Sequence, residues 1–156
     1  MNASEPVRQA LGLPQASQVC IAVADLARAV RFFEHVLGLG PFVRPEIAYH
    51  DVTYHGRPAS GRWEMAFASL GPVELELAHP LQAPNIYQDF LDAHGEGLHH
   101  IGFDVSDLDA AVARAQALGL TVLMSGRTAQ GGFAHLDTRA AGGTILEVIE
   151  RPARRV

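Results

Sequence analysis

The sequence predicts an α+β protein in which one strand–helix–strand module is written twice. Three observations predict it. QVCIAVADLARAV, starting at Gln18, reads onto HIGFDVSDLDAAV, starting at His100, at an offset of 82 residues without a gap. GPVELEL from Gly71 matches GGTILEV from Gly142 at an offset of 71. In both copies of the first segment, strand-like alternation gives way to helical spacing directly after an aspartate, and two matched segments in the same order argue for a repeat.

In the first copy, Val19, Ile21 and Val23 share one strand face, and Gln18, Cys20 and Ala22 share the other. Asp25 then fits an N-cap, because its carboxylate can accept the free amide hydrogens of a first helical turn. Leu26, Val30 and Phe33 fall on one helical face, and Gly38 stands where a left-handed residue would end the helix. The segment VRPEIAYHDVTYHGRPASGRW follows. It carries about 11 residues more than its counterpart and reads as a strand plus a long loop. Trp63, Met65 and Phe67 then read as one face of a core strand. Val73, Leu75 and Leu77 oppose Glu74, Glu76 and Ala78 in the strand that closes the module.

APNIYQDFLDAHGEG predicts a short linking helix with Ile86, Tyr87 and Phe90 facing inward. In the second copy Ile101, Phe103 and Val105 form the bulky face, with His99 at its edge, and His100, Gly102 and Asp104 form the other. Asp107 repeats the N-cap, Leu108, Val112 and Ala115 the helical face, and Gly119 the C-terminal glycine. Thr144, Leu146 and Val148 oppose Ile145, Glu147 and Ile149. The expected organisation is a single domain over 1–156, with modules at 16–80 and 98–151 joined by a linker at 81–97.

Composition narrows the function. At 156 residues and a formal charge of −5, with no basic run, the chain does not suit nucleic acid as a main partner. Cys20 is the only cysteine, which rules out an internal disulfide and fits a reducing compartment. MNASEPVRQALGLPQ has neither a basic start nor an apolar run, so no signal peptide is expected. No stretch reaches membrane-spanning length. The tail RPARRV reads as solvated. The expectation is a soluble, cytoplasmic protein with no membrane partner.

The repeat pairs Gln18 with His100 and Glu76 with Glu147. Packed about a pseudo-twofold axis, these four residues would converge in one cleft. Two nearby carboxylates cannot both stay ionised cheaply in a buried place, and a divalent cation resolves the conflict. An amide oxygen and an imidazole would complete an oxygen/nitrogen ligand set. The same residues can also be read as solvated strand positions and a polar strand entry.

QVCIAVADL, ELAHPL, GEGLHHIGFDVSDLDAAV and GGTILEVIE together resemble the vicinal oxygen chelate superfamily, which includes glyoxalase I and methylmalonyl-CoA epimerase, over about residues 16 to 151. The block GEGLHHIGFDVSDLDAA is especially similar to the epimerases. The resemblance implies paired βαβββ modules forming a U-shaped sheet around a divalent metal held by Gln18, Glu76, His100 and Glu147. Epimerases carry histidine where this chain has Gln18, whereas some glyoxalase I enzymes carry glutamine there. A single histidine among the four argues against the dioxygenases of the superfamily. Glu46 stands near the place of a further epimerase glutamate without a clear match.

The implied function is a metal-dependent isomerase, epimerase or lyase that abstracts a proton next to a carbonyl through a metal-stabilised enolate. Glu147 is the first candidate base, with Glu76 as its twofold partner. The cation would be zinc, nickel, cobalt, manganese or magnesium. The substrate would be a small carbonyl compound or thioester, and the protein a homodimer. The alternative is a non-catalytic binding protein of the drug-sequestering kind. Of the remaining polar residues, His135, which precedes the Glu147 strand, reads as a structural strand histidine ahead of one that faces the pocket, and Tyr49, His50, Tyr54 and His55 as a lid or ordinary loop. Arg44, Arg57 and Arg62 read as surface or anion contacts.

Overall fold

A computed structural model describes residues 11–59, 62–140 and 142–152. The first ten residues and the last four of the basic tail lie outside them. The strands are β1 (Ala16–Ala22), β2 (His50–Tyr54), β3 (Arg57–Pro58), β4 (Arg62–Leu70), β5 (Val73–Gln82), β6 (Gly97–Asp104), β7 (Val122–Thr128), β8 (Gly131–Leu136) and β9 (Ile145–Glu150). The helices are α1 (Leu26–His35), α2 (Ile86–His94) and α3 (Leu108–Ala117). None of the described helices is long and apolar enough to cross a membrane.

All nine strands join one mixed sheet in the order β3-β2-β7-β8-β9-β6-β1-β5-β4, curled around a large cavity. The two repeated strands meet at its centre. β1 and β6 run antiparallel with Val19 opposite Ile101, so the pseudo-twofold axis passes through that pair. Each has the closing strand of its own repeat as its parallel outer neighbour. Cys20 stands beside Glu76 and Gly102 beside Glu147, which are equivalent positions.

The faces follow the alternation. Leu75 and Leu77 pack under α1 with Leu26 and Val30, and Leu136 and Val148 pack under α3 with Leu108 and Ala115. Each such Leu or Val side chain contributes about 1.5–3 kcal/mol when fully buried. Asp25 accepts a hydrogen bond from the Arg28 amide at 2.8 Å, and Asp107 from the Ala110 amide at 2.9 Å. Gly38 and Gly119 take φ of 66° and 84°, ending α1 and α3 in the left-handed region. The opposite face carries Cys20, Ala22, Ala78 and Ile145, covered at one end by Ile86 and Tyr87 of α2, with Phe90 packed against them.

Two features depart from the sequence reading. The long segment of the first module forms a hairpin, β2–β3, that pairs with β7 of the second module rather than with its own. Only Val43 bridges to Phe67 where the first module would repeat β7. Pro41 and Pro45 bracket that bridge, and proline has no amide hydrogen for a ladder. The hairpin turns through His55 and Gly56, both at positive φ, which suits a two-residue loop. It also covers an edge that β7 would otherwise expose.

The second departure is at His99. Cys20 pairs with His100 but Ile21 pairs with Leu98, so His99 is an extra residue bulged out of the ladder. The bulge reverses its parity. His99 does not lie with Ile101 and Phe103 but turns inward beside His100, against Tyr87 and Phe90 of α2.

Candidate functional site

The inner face of β1, β5, β6 and β9 brings Gln18, Glu76, His100 and Glu147 together, each buried. His100 Nε2 is the hub. It lies 3.2 Å from Gln18 Oε1, 3.5 Å from Glu76 Oε2 and 3.0 Å from Glu147 Oε2. The Gln18 amide has one sensible orientation. Its Nε2 donates to Glu74 Oε1 at 3.2 Å, and a carboxylate only accepts, so the amide oxygen faces the hub. Glu74 is held in turn by Arg151 Nη1 at 2.9 Å, and Arg151 Nε reaches Asp104 at 3.2 Å.

Electrostatics at the hub is strained. Burial pushes the Glu76 carboxyl up, against the pull of His100. Burial also works against a charged imidazole at His100, but the neighbouring Cys20 and Glu147 outweigh it and carry its pKa well above the ordinary histidine value. Burial, together with the charge of His100, pushes His99 and His135 well down, so both stay neutral. The Tyr49 and Tyr87 phenols are pushed up by burial and then by Glu76, and so remain hydrogen-bond donors.

The donor chemistry fits a divalent cation. Two carboxylates, one imidazole nitrogen and one amide oxygen fixed from behind by Glu74 are what a hard-to-borderline cation binds. Its charge would also offset the cost of burying both the Glu76 and Glu147 carboxylates about His100.

Gln18, Glu76 and Glu147 open onto a cavity of about 1240 Å³. Trp63, Met65 and Phe67 belong to the core cluster, as expected, and also form one wall. Phe133 packs edge-on to Trp63 at 5.9 Å, and Tyr49 joins them, stacked on Trp63 at 4.9 Å and edge-on to Phe133 at 5.2 Å. Tyr49 is the one member of the loop group that lines the cavity. His50 is exposed beside Asp51, and Tyr54 donates to Asp89 and packs on His55. Glu46 lines the cavity, whereas Arg44, Arg57 and Arg62 do not.

One residue of the site, Arg151, escaped the sequence reading. Arg151 is the only arginine or lysine among the described lining residues. The alternation Ile145, Glu147, Ile149 continues to Arg151, and that signal would have placed it. His135, expected as structural ahead of pocket-facing, lies opposite Glu147 in the β8–β9 ladder, with Nε2 3.5 Å from Glu147 Oε1.

Residues 17–139 match the Glyoxalase/Bleomycin resistance protein/Dioxygenase superfamily. The chain is similar to human mitochondrial methylmalonyl-CoA epimerase, with 30% identity over 116 residues, covering 71% of this chain and 60% of that protein. It is 32% identical over 111 residues to an ethylmalonyl-CoA/methylmalonyl-CoA epimerase of Cereibacter sphaeroides, covering 70% and 75%. The chain thus spans 60% of the length of the human relative, and 51% of the mouse one. A Streptomyces coelicolor methylmalonyl-CoA epimerase structure, in complex with 2-nitronate-propionyl-CoA, shares the fold. Its TM-score is 0.70 at 22% identity, covering 92% of this chain and 99% of that one.

Proposed function

Because the chain belongs to the Glyoxalase/Bleomycin resistance protein/Dioxygenase superfamily, we propose that it is a cation-dependent epimerase or isomerase that moves the acidic proton beside a thioester carbonyl. The observation that carries the reading is the convergence of Gln18, Glu76 and Glu147 on His100 Nε2 at the floor of the cavity. The relatives named as methylmalonyl-CoA epimerases supply the substrate class, an acyl-CoA with an acidic α-carbon. The reading takes the chain as one domain of two modules that works as a homodimer in the cytoplasm.

Gln18, Glu76, His100 and Glu147 would hold the cation. Bound there, a divalent cation supplies a Lewis acid for the oxygen of an enolate. Glu147 is the base. It is the least buried of the four at 6% exposure, and it opens onto the cavity. Glu76, its counterpart across the pseudo-twofold axis, returns the proton on the opposite face, which inverts the centre. Gln18, pinned by Glu74 and Arg151, orients the oxygen side of the site. Tyr49, Trp63 and Phe133 exclude water from the reacting carbon.

The test is exchange of the α-proton of methylmalonyl-CoA with D₂O, followed by mass spectrometry. Cation-loaded protein should interconvert the two epimers with incorporation of deuterium, and Glu147→Gln should abolish the interconversion while still binding the cation. Persistence of interconversion in a cation-loaded Glu147→Gln variant removes Glu147 as the base. Gln18 favours a second reading, because the resemblance implies glutamine there in glyoxalase I rather than in the epimerases. A lyase of that kind would convert the hemithioacetal of a thiol and an α-ketoaldehyde and leave acyl-CoA protons unexchanged.

A further inference from the structure

His135 is an unexplained buried group. Its side chain is 1% exposed, and neither ring nitrogen has a hydrogen-bond partner among the described residues. A neutral imidazole always carries one N–H and one lone pair, so a histidine sealed in without partners for either is rare. Its surroundings are aromatic. Phe133 lies edge-on at 5.3 Å, Tyr87 at 6.1 Å and His99 at 5.6 Å between ring centres. In the remaining direction it faces the hub, with Nε2 3.5 Å from Glu147 Oε1 and its ring 4.8 Å from that of His100. Ligand atoms of His100, His135 and Glu147 all lie within 4.8 Å of one another.

We propose that His135 is a further donor to the cation, so that two imidazoles and the Glu147 carboxylate, from the adjacent strands β6, β9 and β8, hold it on one side. The inference rests on the cation reading above and adds to it. The symmetric set of Gln18, Glu76, His100 and Glu147 follows from the repeat, whereas the counterpart of His135 in the first module is Phe67, which pairs with Glu76 as His135 does with Glu147 and offers no donor. The equivalent stretch there is β4, whose cavity face carries Trp63, Met65 and Phe67. A second nitrogen donor has a chemical consequence. It shifts preference away from magnesium and manganese and towards cobalt, nickel and zinc.

The test uses the full chain loaded with Co²⁺, with ¹⁵N-labelled histidine and proton NMR at low field strength. Two paramagnetically shifted imidazole N–H signals are expected in the unaltered protein. His135→Gln should lose one of them and bind cobalt at least tenfold more weakly, with magnesium binding little changed. One shifted imidazole in cobalt-loaded wild-type protein overturns this inference alone, whether or not the variant folds. Failure of the wild-type protein to take up cobalt at all overturns the cation reading, and this inference with it.

Discussion

Gly102→Ala should weaken cation binding without unfolding the protein. Gly102 faces Gln18 across the β1–β6 ladder, and its backbone is outside the left-handed region, so alanine meets no conformational penalty. The obstacle is space. An added Cβ would stand 3.0 Å from Gln18 Cβ, 3.1 Å from Gln18 Oε1 and 3.0 Å from Ile149 Cδ1, where ordinary contact begins at 3.4 Å. Gln18 must therefore give way by a few tenths of an ångström. Its two hydrogen bonds, both 3.2 Å, are already long for N–H···O and have little to spare. Overpacking of this size costs roughly 1–3 kcal/mol. If about 1.4 kcal/mol of it is felt by the bound state, cation affinity falls about tenfold. Calorimetric titration with Co²⁺ measures that, and denaturant unfolding measures the cost to the fold. In a Gln18→Ala background the displaced amide is gone, so Gly102→Ala should change cobalt affinity by less than about twofold. A folded Gly102→Ala protein with wild-type cobalt affinity, or the same loss in both backgrounds, would refute the reasoning.

Two other perturbations read parts of the structure away from substrate. Cys20 is sealed behind His100, and burial, reinforced by Glu76, raises its thiol pKa to about 12. A thiol reagent at pH 8 should leave Cys20 unlabelled in native protein and label it once per chain after denaturation; rapid native labelling would place Cys20 elsewhere. Glu96 accepts from Arg28 and from the Ala24 amide at the entry to α1, and the Arg28 bond foremost lowers its pKa below 4.5. A depressed carboxylate stabilises the fold above its unfolded pKa, and this is lost as pH falls through the folded value. Because the pair is exposed, Glu96→Gln should cost less than about 1 kcal/mol at pH 7. The difference should vanish in acid, and one that grows on acidification would contradict the assignment.

Much of the framework is legible in the residues. The repeat of Val23, Asp25 and Leu26 as Val105, Asp107 and Leu108 encodes the twofold axis. Alternation in VELEL and ILEVI places Glu76 and Glu147 on the cavity face, because a period of two leaves a strand no other choice once one face is covered by a helix. The misses share a physical cause. A bulge is a property of the ladder between two strands, so nothing in GEGLHH announces that His99 will slip a register and turn inward. The hairpin at His50–Tyr54 finds its partner in β7, some 70 residues away, because the prolines around Val43 spoil the nearer pairing. For His135 the sequence leaves a structural and a pocket-facing reading open until the β8–β9 register sets it against Glu147. Arg151 was legible, since it extends the alternation of β9, but it stands among tail residues that suggest only a solvated end.

The central claim is that the side chains gathered at His100 Nε2 exist to hold a cation. Stripping the full chain with chelator, titrating it with zinc, nickel, cobalt, manganese and magnesium in turn, and weighing the bound metal by elemental analysis tests it most directly. The account predicts about one divalent ion per chain, with uptake sharply reduced by Glu76→Gln and by His100→Ala. A folded wild-type protein that takes up none of the five would contradict it.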